Sequence, residues 1–451
     1  MVPLDKVRFG NVTKLRKLRV LLLFDRYKWW PGTAIRHLDA LSIASHHRVF
    51  ALPQRGDLPD ELDLTRFDAI VIHYSVFMFD AAYLSSAARQ RLAEFRGTKA
   101  AFVQDEHRNV DLTIDVVQQM GIDILFTVVP ATEVDKVYPP SRMPALCKVP
   151  VLTGYVDDDL IHRKVPDWTS RPVDVGYRAR KLPPWLGTLG REKWIIGERF
   201  NREAEQYGLR CDISMREQDR LHGDFWVDFV ANCKAVLGTV SGASVFDFSG
   251  DIARCVERHL LRAPDTPFDA LRELYFANVD GVIDAGVISP RCFEAAALRT
   301  LMILYEGNYS DVLEPGRHYV PLKKDHSNMD EVIGVLRSPE RALEIIQNAY
   351  NEVASNPAYS HAALTEVYDQ TLSATCADRS VTNIEYYSER EFDGIRRRNR
   401  GGILRAQSVD YVRYYAGKVL FSPLFGLLGE KLRDRLIDQT RRIYRFLAGR
   451  Y

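Results

Sequence analysis

The residues best placed to do chemistry lie within Ile288–Lys323, ISPRCFEAAALRTLMILYEGNYSDVLEPGRHYVPLK. Ser289 suits a helix N-cap and Pro290 the first helical position. Arg291 and Glu294 then stand three apart on one helix face. A helix N-terminus favours phosphate, and a fixed carboxylate can accept hydrogen bonds from both hydroxyls of a ribose. The apolar run Leu301–Glu306 predicts a strand. It leads into Glu314-Pro315-Gly316-Arg317-His318, a basic loop whose Gly316 and Arg317 can approach a sugar or a phosphate. Together these features make half of a nucleoside-diphosphate site.

Three other places offer suitable groups. Val173–Lys181 is a strand, a turn and a basic cluster, so Arg178, Arg180 and Lys181 are candidates to hold a diphosphate; a merely solvated loop is the alternative. Gly238–Ser244 follows an apolar strand, and small residues such as Ser241 and Gly242 let a ligand approach the backbone closely. It lacks GxGxxG spacing and a Walker lysine, so a plain strand-to-helix turn is equally compatible. In the first third, polar groups cluster at strand ends: Asp25; His73 with Tyr74 and Ser75; Gln104 with Asp105, Glu106 and His107. His73 can donate to a hydroxyl or act as a base, and Asp105 or Glu106 can take a hydroxyl proton. Their structural alternatives are hydrogen bonding at a strand end and helix capping.

The elements that must position these groups follow from periodicity. Leu18–Asp25, Arg48–Pro53, Phe67–Ser75, Lys99–Glu106 and Ile124–Pro130 are apolar runs of strand length, as buried parallel strands require. Tyr83–Phe95, with Leu84, Ala88, Leu92 and Phe95 on one face, and Asp111–Met120 predict helices between them. A second alternation begins after the polar stretch Val156–Pro172. Its strands are expected at Val173–Tyr177, Cys211–Ser214, Lys234–Thr239 and Leu301–Glu306. Its helices are expected at Arg191–Tyr207, Asp224–Asn232, Glu331–Ala354 with a break near Pro339, and His361–Thr375. The expected fold is α/β: two Rossmann-like, doubly wound domains in series with a helical C-terminal extension. The boundaries are 1–155, a linker at 156–172, a second domain at 173–378 and a basic tail at 379–451.

The chain has 451 residues, too many for one ordinary domain, and 46% apolar residues, enough for two cores. Six scattered Cys without a CxxC pair suggest reduced thiols and a cytoplasmic protein. No signal-peptide pattern or spanning apolar run is read, and a Ser hydrolase is disfavoured because no GxSxG elbow occurs. Asp157-Asp158-Asp159 invites a metal, but such linker acids are usually solvated and no His/Cys spacing suits zinc; no metal and no cofactor are expected.

Near-neutral net charge hides an asymmetry. From Gly394 to Tyr451 there are fourteen basic and four acidic residues, which leaves the rest net acidic by nine. Val409, Val412, Ala416 and Val419 form one helical stripe, and Leu424, Leu428, Leu432 and Leu436 another, interleaved with arginines. Such helices can lie on an anionic membrane surface, placing the protein peripherally at the inner face, or pack across the first domain. Nucleic-acid binding is disfavoured because no aromatic-rich basic module accompanies the charge.

The motif RxFEAAALRT…LYEG…EPGRHYVPL resembles the C-terminal domain of family 1/family 4 type glycosyltransferases, particularly the CgeB-like branch. The likeness spans roughly Val173–Leu372 and continues more weakly upstream. It implies the GT-B fold, in which two Rossmann-like domains face each other across a cleft. It also implies a nucleotide-sugar donor held by the C-terminal domain, with Glu294 on the ribose and the loop after the first strand on the diphosphate. Many members carry another Glu eight positions before the ribose Glu, where this chain has Gly286. The activity implied is sugar transfer to a saccharide or lipid-linked acceptor near His73, Asp105 and Glu106, in surface-polysaccharide or glycoconjugate assembly. A nucleotide-sugar epimerase and a non-catalytic nucleotide-sugar-binding scaffold remain as alternatives.

Overall fold

Each domain is organised around a short apolar strand with neighbours on both sides. In β1 (Arg19–Phe24) all six residues are buried, which only a central strand covered on both faces permits. A computed structural model describes residues 16–25, 32–377, 385–401 and 403. With β2 (Arg48–Pro53), β3 (Ala69–Ile72), β4 (Thr98–Phe102), β5 (Ile124–Thr127) and β6 (Cys147–Pro150), β1 forms a sheet in the order β2-β1-β3-β4-β5-β6. The second sheet has the order β11-β10-β9-β7-β8, from β7 (Val173–Arg178), β8 (Cys211–Ser214), β9 (Cys233–Gly238), β10 (Leu301–Tyr305) and β11 (Val320–Leu322). Every pairing is parallel. This is the pair of doubly wound sheets that the sequence pattern and the GT-B resemblance imply. Strand order reverses beside β1 and beside β7, which opens a crevice at the C-terminal strand ends.

The two domains touch through their loops. The loop after β4 pairs with the segment after β9: Asp247 N–H donates to the His107 carbonyl at 2.8 Å, and Asn109 N–H to the Asp247 carbonyl at 2.9 Å. Phe246, Ile283 and Ala285 pack into the hydrophobic core of the first domain. Asp284 N–H donates to Glu133 Oε2 at 3.0 Å.

The linker is built in rather than loose. Asp157 caps the short helix Asp158–Ile161, and Arg36 of the first domain pairs with both Asp157 and Asp159. Buried Arg171 donates to the carbonyls of Cys233 and Leu298 and to Thr300 Oγ1 at 2.9, 3.1 and 2.7 Å. It thereby ties the linker to the C-terminal end of the helix that carries Glu294.

The long helix His361–Cys376 crosses back. Leu364, Tyr368, Leu372 and Cys376 pack with β1, β3 and β4, so this helix completes the first domain although the sequence order places it within 173–378. The helix at 389–401 also covers the first domain, with Phe392 5.0 Å from Phe50. The amphipathic stripes from Val409 to Leu436 lie outside the described residues, as do Arg26, Tyr27 and Lys28. Two helices without a counterpart in the sequence reading, Asp251–Arg262 and Phe268–Tyr275, close over Trp185 and Leu186. Cys233, Cys292 and Cys376 are buried, whereas Cys147 and Cys255 are exposed. Among the described residues no helix is long and apolar enough to cross a membrane.

Candidate functional site

Glu294 sits in the second turn of the helix Pro290–Ala297, whose N-cap Ser289 accepts from Arg291 N–H. The opposite helix face is apolar (Cys292, Phe293, Ala295, Ala296) and buried, so the Glu294 side chain is directed to the wall of a cavity of about 400 Å³. Trp226, on the helix Asp224–Ala231, donates its indole N–H to Glu294 Oε2 at 2.7 Å. Burial raises the Glu294 carboxyl above its ordinary range, while the Trp226 hydrogen bond and the Arg291 charge oppose the rise. One oxygen is thus oriented by Trp226 on a residue that lines the cavity, an arrangement suited to accepting hydroxyl donors.

Arg178, Arg180 and Arg291 line the same cavity, but they do different work. Arg178 is held by Asp212 Oδ1 at 2.8 Å, with its guanidinium 4.2 Å from the Phe229 ring centroid. Arg291 donates to the Arg178 carbonyl at 2.6 Å and lies over Trp226. Arg180 is exposed and has no acidic partner among the described residues. Lys181 points elsewhere, 3.8 Å from Glu198 and over the Trp194 ring, and it lines none of the described cavities.

Lys193 carries a role that sequence reasoning missed. It stands in the second turn of the helix Gly187–Ala204, and with Arg180 it lines both this cavity and a second of about 720 Å³. Burial lowers its ammonium to about 8, against the opposing charge of Asp105 across the cleft. A lone Lys among amphipathic-helix residues carries no signal in one sequence; the fold brings it to the junction.

Ser241 and Gly242 lie where the cavities meet: Ser241 borders all three described cavities and Gly242 two of them. Ser241 and Val287 exchange backbone hydrogen bonds at 2.8 and 3.0 Å. Gly242 has φ +105, and a Cβ there would lie 2.8 Å from the Ala285 carbonyl, so the turn requires glycine. Gly286 is similarly confined, since a Cβ would lie 2.7 Å from Val240 Cγ1. A glutamate at 286 would therefore require Val240 to move.

The loop bearing Gly316 and Arg317 is placed away from the cavities. Arg317 pairs with Glu352, as does His318 Nε2 at 2.8 Å, and neither Gly316 nor Arg317 lines a described cavity.

In the first domain the three candidates separate. His73 is fully buried at the end of β3. Its Nε2 faces His37 Nδ1 at 3.0 Å and its Nδ1 faces Ser75 Oγ at 2.8 Å, so it is sealed from the described cavities. Burial keeps its ring well below the ordinary histidine range. Glu106 borders the cleft, yet its carboxyl is bound by Thr127 Oγ1 at 2.7 Å, by Val128 N–H at 2.9 Å and by Tyr138 OH. Asp105 alone is exposed. It adopts φ 53 in the left-handed region, which costs strain in a non-glycine residue and is often found at functional turns. It lines the cavity of about 720 Å³ and a smaller one of about 180 Å³.

Residues 194–366 match the family model described as Glycosyl transferase-like. The likeness is to that family over this segment. The match covers less than half of the chain. It includes Trp226, Ser241 and Glu294, and it stops one residue short of Lys193. Among curated proteins none matches this chain. Solved structures offer distant likenesses. An alpha-glucosyltransferase solved with UDP and a 13-mer DNA is 9% identical over 80% of this chain and 100% of its own, with TM-score 0.46. Sucrose-phosphate synthase from Thermosynechococcus elongatus is 10% identical over 80% and 100%, with TM-score 0.45. TarM is 10% identical over 68% of this chain, which spans only 54% of that protein, with TM-score 0.37. The matched segment contains Glu294, Trp226 and Arg291, whereas Arg180, Lys193 and Asp105 precede it in sequence and meet it in space.

Proposed function

We propose that this protein transfers a sugar from a nucleoside-diphosphate donor to an acceptor hydroxyl. The observation that carries this reading is the meeting of two cations without salt-bridge partners among the described residues, Arg180 and Lys193, at the junction of two cavities, one of which holds the Trp226-oriented Glu294. In this reading Glu294 accepts from the donor ribose. Arg180 and Lys193 then take the charge that gathers on the diphosphate as its bond to the sugar breaks. Asp105 accepts the proton of the attacking hydroxyl as the new bond to the anomeric carbon forms. His73 and Glu106 support the fold around it. The loop after β4 bridges to Asp247, and in this reading closure of the two domains around bound ligands excludes water.

The chemistry so assigned needs no cofactor. The family resemblance suggests surface-polysaccharide or glycoconjugate assembly and the scattered Cys a cytoplasmic setting, while the charge pattern of the sequence fits a basic tail at the inner membrane face.

The test is a melting-shift panel of nucleotide-sugars against wild type and Glu294→Ala. A shift with at least one donor that the variant loses is expected. No shift with any donor in either protein overturns the reading.

A further inference from the structure

The cavity of about 720 Å³ is larger than the donor-side cavity of about 400 Å³, and its wall is of a different kind. Phe77 and Phe79 from the loop after β3, and Trp185 from the second domain, present aromatic groups to it. Phe77 is 42% exposed although large and apolar. It is braced edge-on by Tyr83, with ring centroids 5.2 Å apart, rather than folded into the core. Single exposed apolar residues are ordinary, but one held in a cavity wall beside a second aromatic makes a binding face. The same wall also carries hydrogen-bonding groups, among them Asp80 and Asn109.

We propose that this cavity is a saccharide-acceptor site holding more than one sugar ring; the inference rests on the proposed transfer reaction and names its acceptor. A pyranose has an apolar C–H face that stacks on an aromatic ring and a rim of hydroxyls that needs polar partners. The aromatic and polar groups that share this wall supply both. A lipid chain would leave the polar groups without partners, at a cost. A polyanion finds little here once Arg180 and Lys193 serve the diphosphate. The remaining cation, Arg108, stacks over Trp185 at 5.1 Å, a pairing that extends the aromatic platform. The cavity lies within the range of sites that enclose a whole small-molecule ligand, so its size admits a chain rather than one ring.

The test is calorimetric titration of the full chain, in the presence of UDP, with neutral gluco-, galacto- and manno-configured sugars from monosaccharide to tetrasaccharide. The same series is run on Phe77→Ala, a change at an exposed side chain. At least one configuration is expected to bind about fivefold or more tightly as a second ring is added, and Phe77→Ala is expected to lose that gain while UDP still binds. Failure of every oligosaccharide to bind, or a length dependence untouched by Phe77→Ala, overturns the assignment even if UDP binds. If UDP does not bind either, the donor reading falls with it.

Discussion

The indole of Trp226 and the carboxylate of Glu294 share a hydrogen bond of 2.7 Å, and the guanidinium of Arg291 lies over the same indole, 4.8 Å from its centroid. Trp226 is a positioning residue. It fixes one carboxylate oxygen and offsets the burial that favours the neutral acid. Trp226→Phe keeps a ring and removes the N–H. Donor KM should rise about tenfold with kcat little changed, the scale of one hydrogen bond to a charged group. Because the Glu294 carboxyl already lies above its ordinary range, losing the N–H should raise it further. Donor binding should then fail at a higher pH on the acid side than in wild type. A Trp226→Phe protein with an unshifted acid limb would deny Trp226 this role.

Lys193 should set the alkaline limit. Its ammonium, lowered by burial to about 8, can pair with a diphosphate only while protonated. Nucleoside-diphosphate affinity should therefore weaken as pH rises past about 8 in wild type and remain flat in Lys193→Arg, because a guanidinium stays charged. Lys193→Ala should weaken binding by roughly tenfold or more at neutral pH and flatten the same limb. Titration calorimetry across pH checks both variants.

Asp105→Asn should reduce kcat by about two to four orders of magnitude while leaving Tm near wild type, since the side chain is exposed. Glycine at the same position relieves the left-handed backbone, so Asp105→Gly should be inactive without being unstable. Steady-state rates with a donor and acceptor, beside a melting curve, separate the two effects. Activity near wild type in both variants would remove Asp105 from the chemistry.

Glu106 should reveal itself in stability rather than in rate. Burial pushes its carboxyl up to about 7, although Thr127 and Tyr138 donate to it. The folded state therefore holds its proton more tightly than the unfolded chain. The associated stabilisation is complete below the ordinary carboxylate range and is lost as pH climbs to about 7. Its size is on the order of 3 kcal/mol. Glu106→Gln should abolish that slope, so urea midpoints of variant and wild type should diverge with rising pH. Parallel midpoints between pH 5 and 7 would refute the buried-proton account.

Much of the fold was legible in the residues. Runs such as RVLLLF and AIVI are continuous and short because a parallel strand buries both faces, and this pattern needs no partner to be recognised. The helix with Ser289 as cap and Pro290 at its start was legible for the same local reason, and with it the side of the helix on which Glu294 emerges. The helices Asp251–Arg262 and Phe268–Tyr275 were missed because they bury few residues, Ala253 and Val256 in the first and Leu271 in the second. Their apolar positions are periodic but few among many charges, so the segments read as solvated surface.

Local sequence thus determined the strands, the capped helix and the carboxylate at 294, because hydrophobic period and capping act over a few residues. Which charges meet was decided only by the tertiary structure. Arg178 and Arg180 are two residues apart, yet Asp212 neutralises the first and leaves the second facing the cleft. Arg317 is consumed by Glu352, His73 is sealed against His37, and Lys193 is carried to the cavity junction. A charge binds a ligand only if the fold leaves it unpaired beside open space, and that depends on residues brought near from distant parts of the chain.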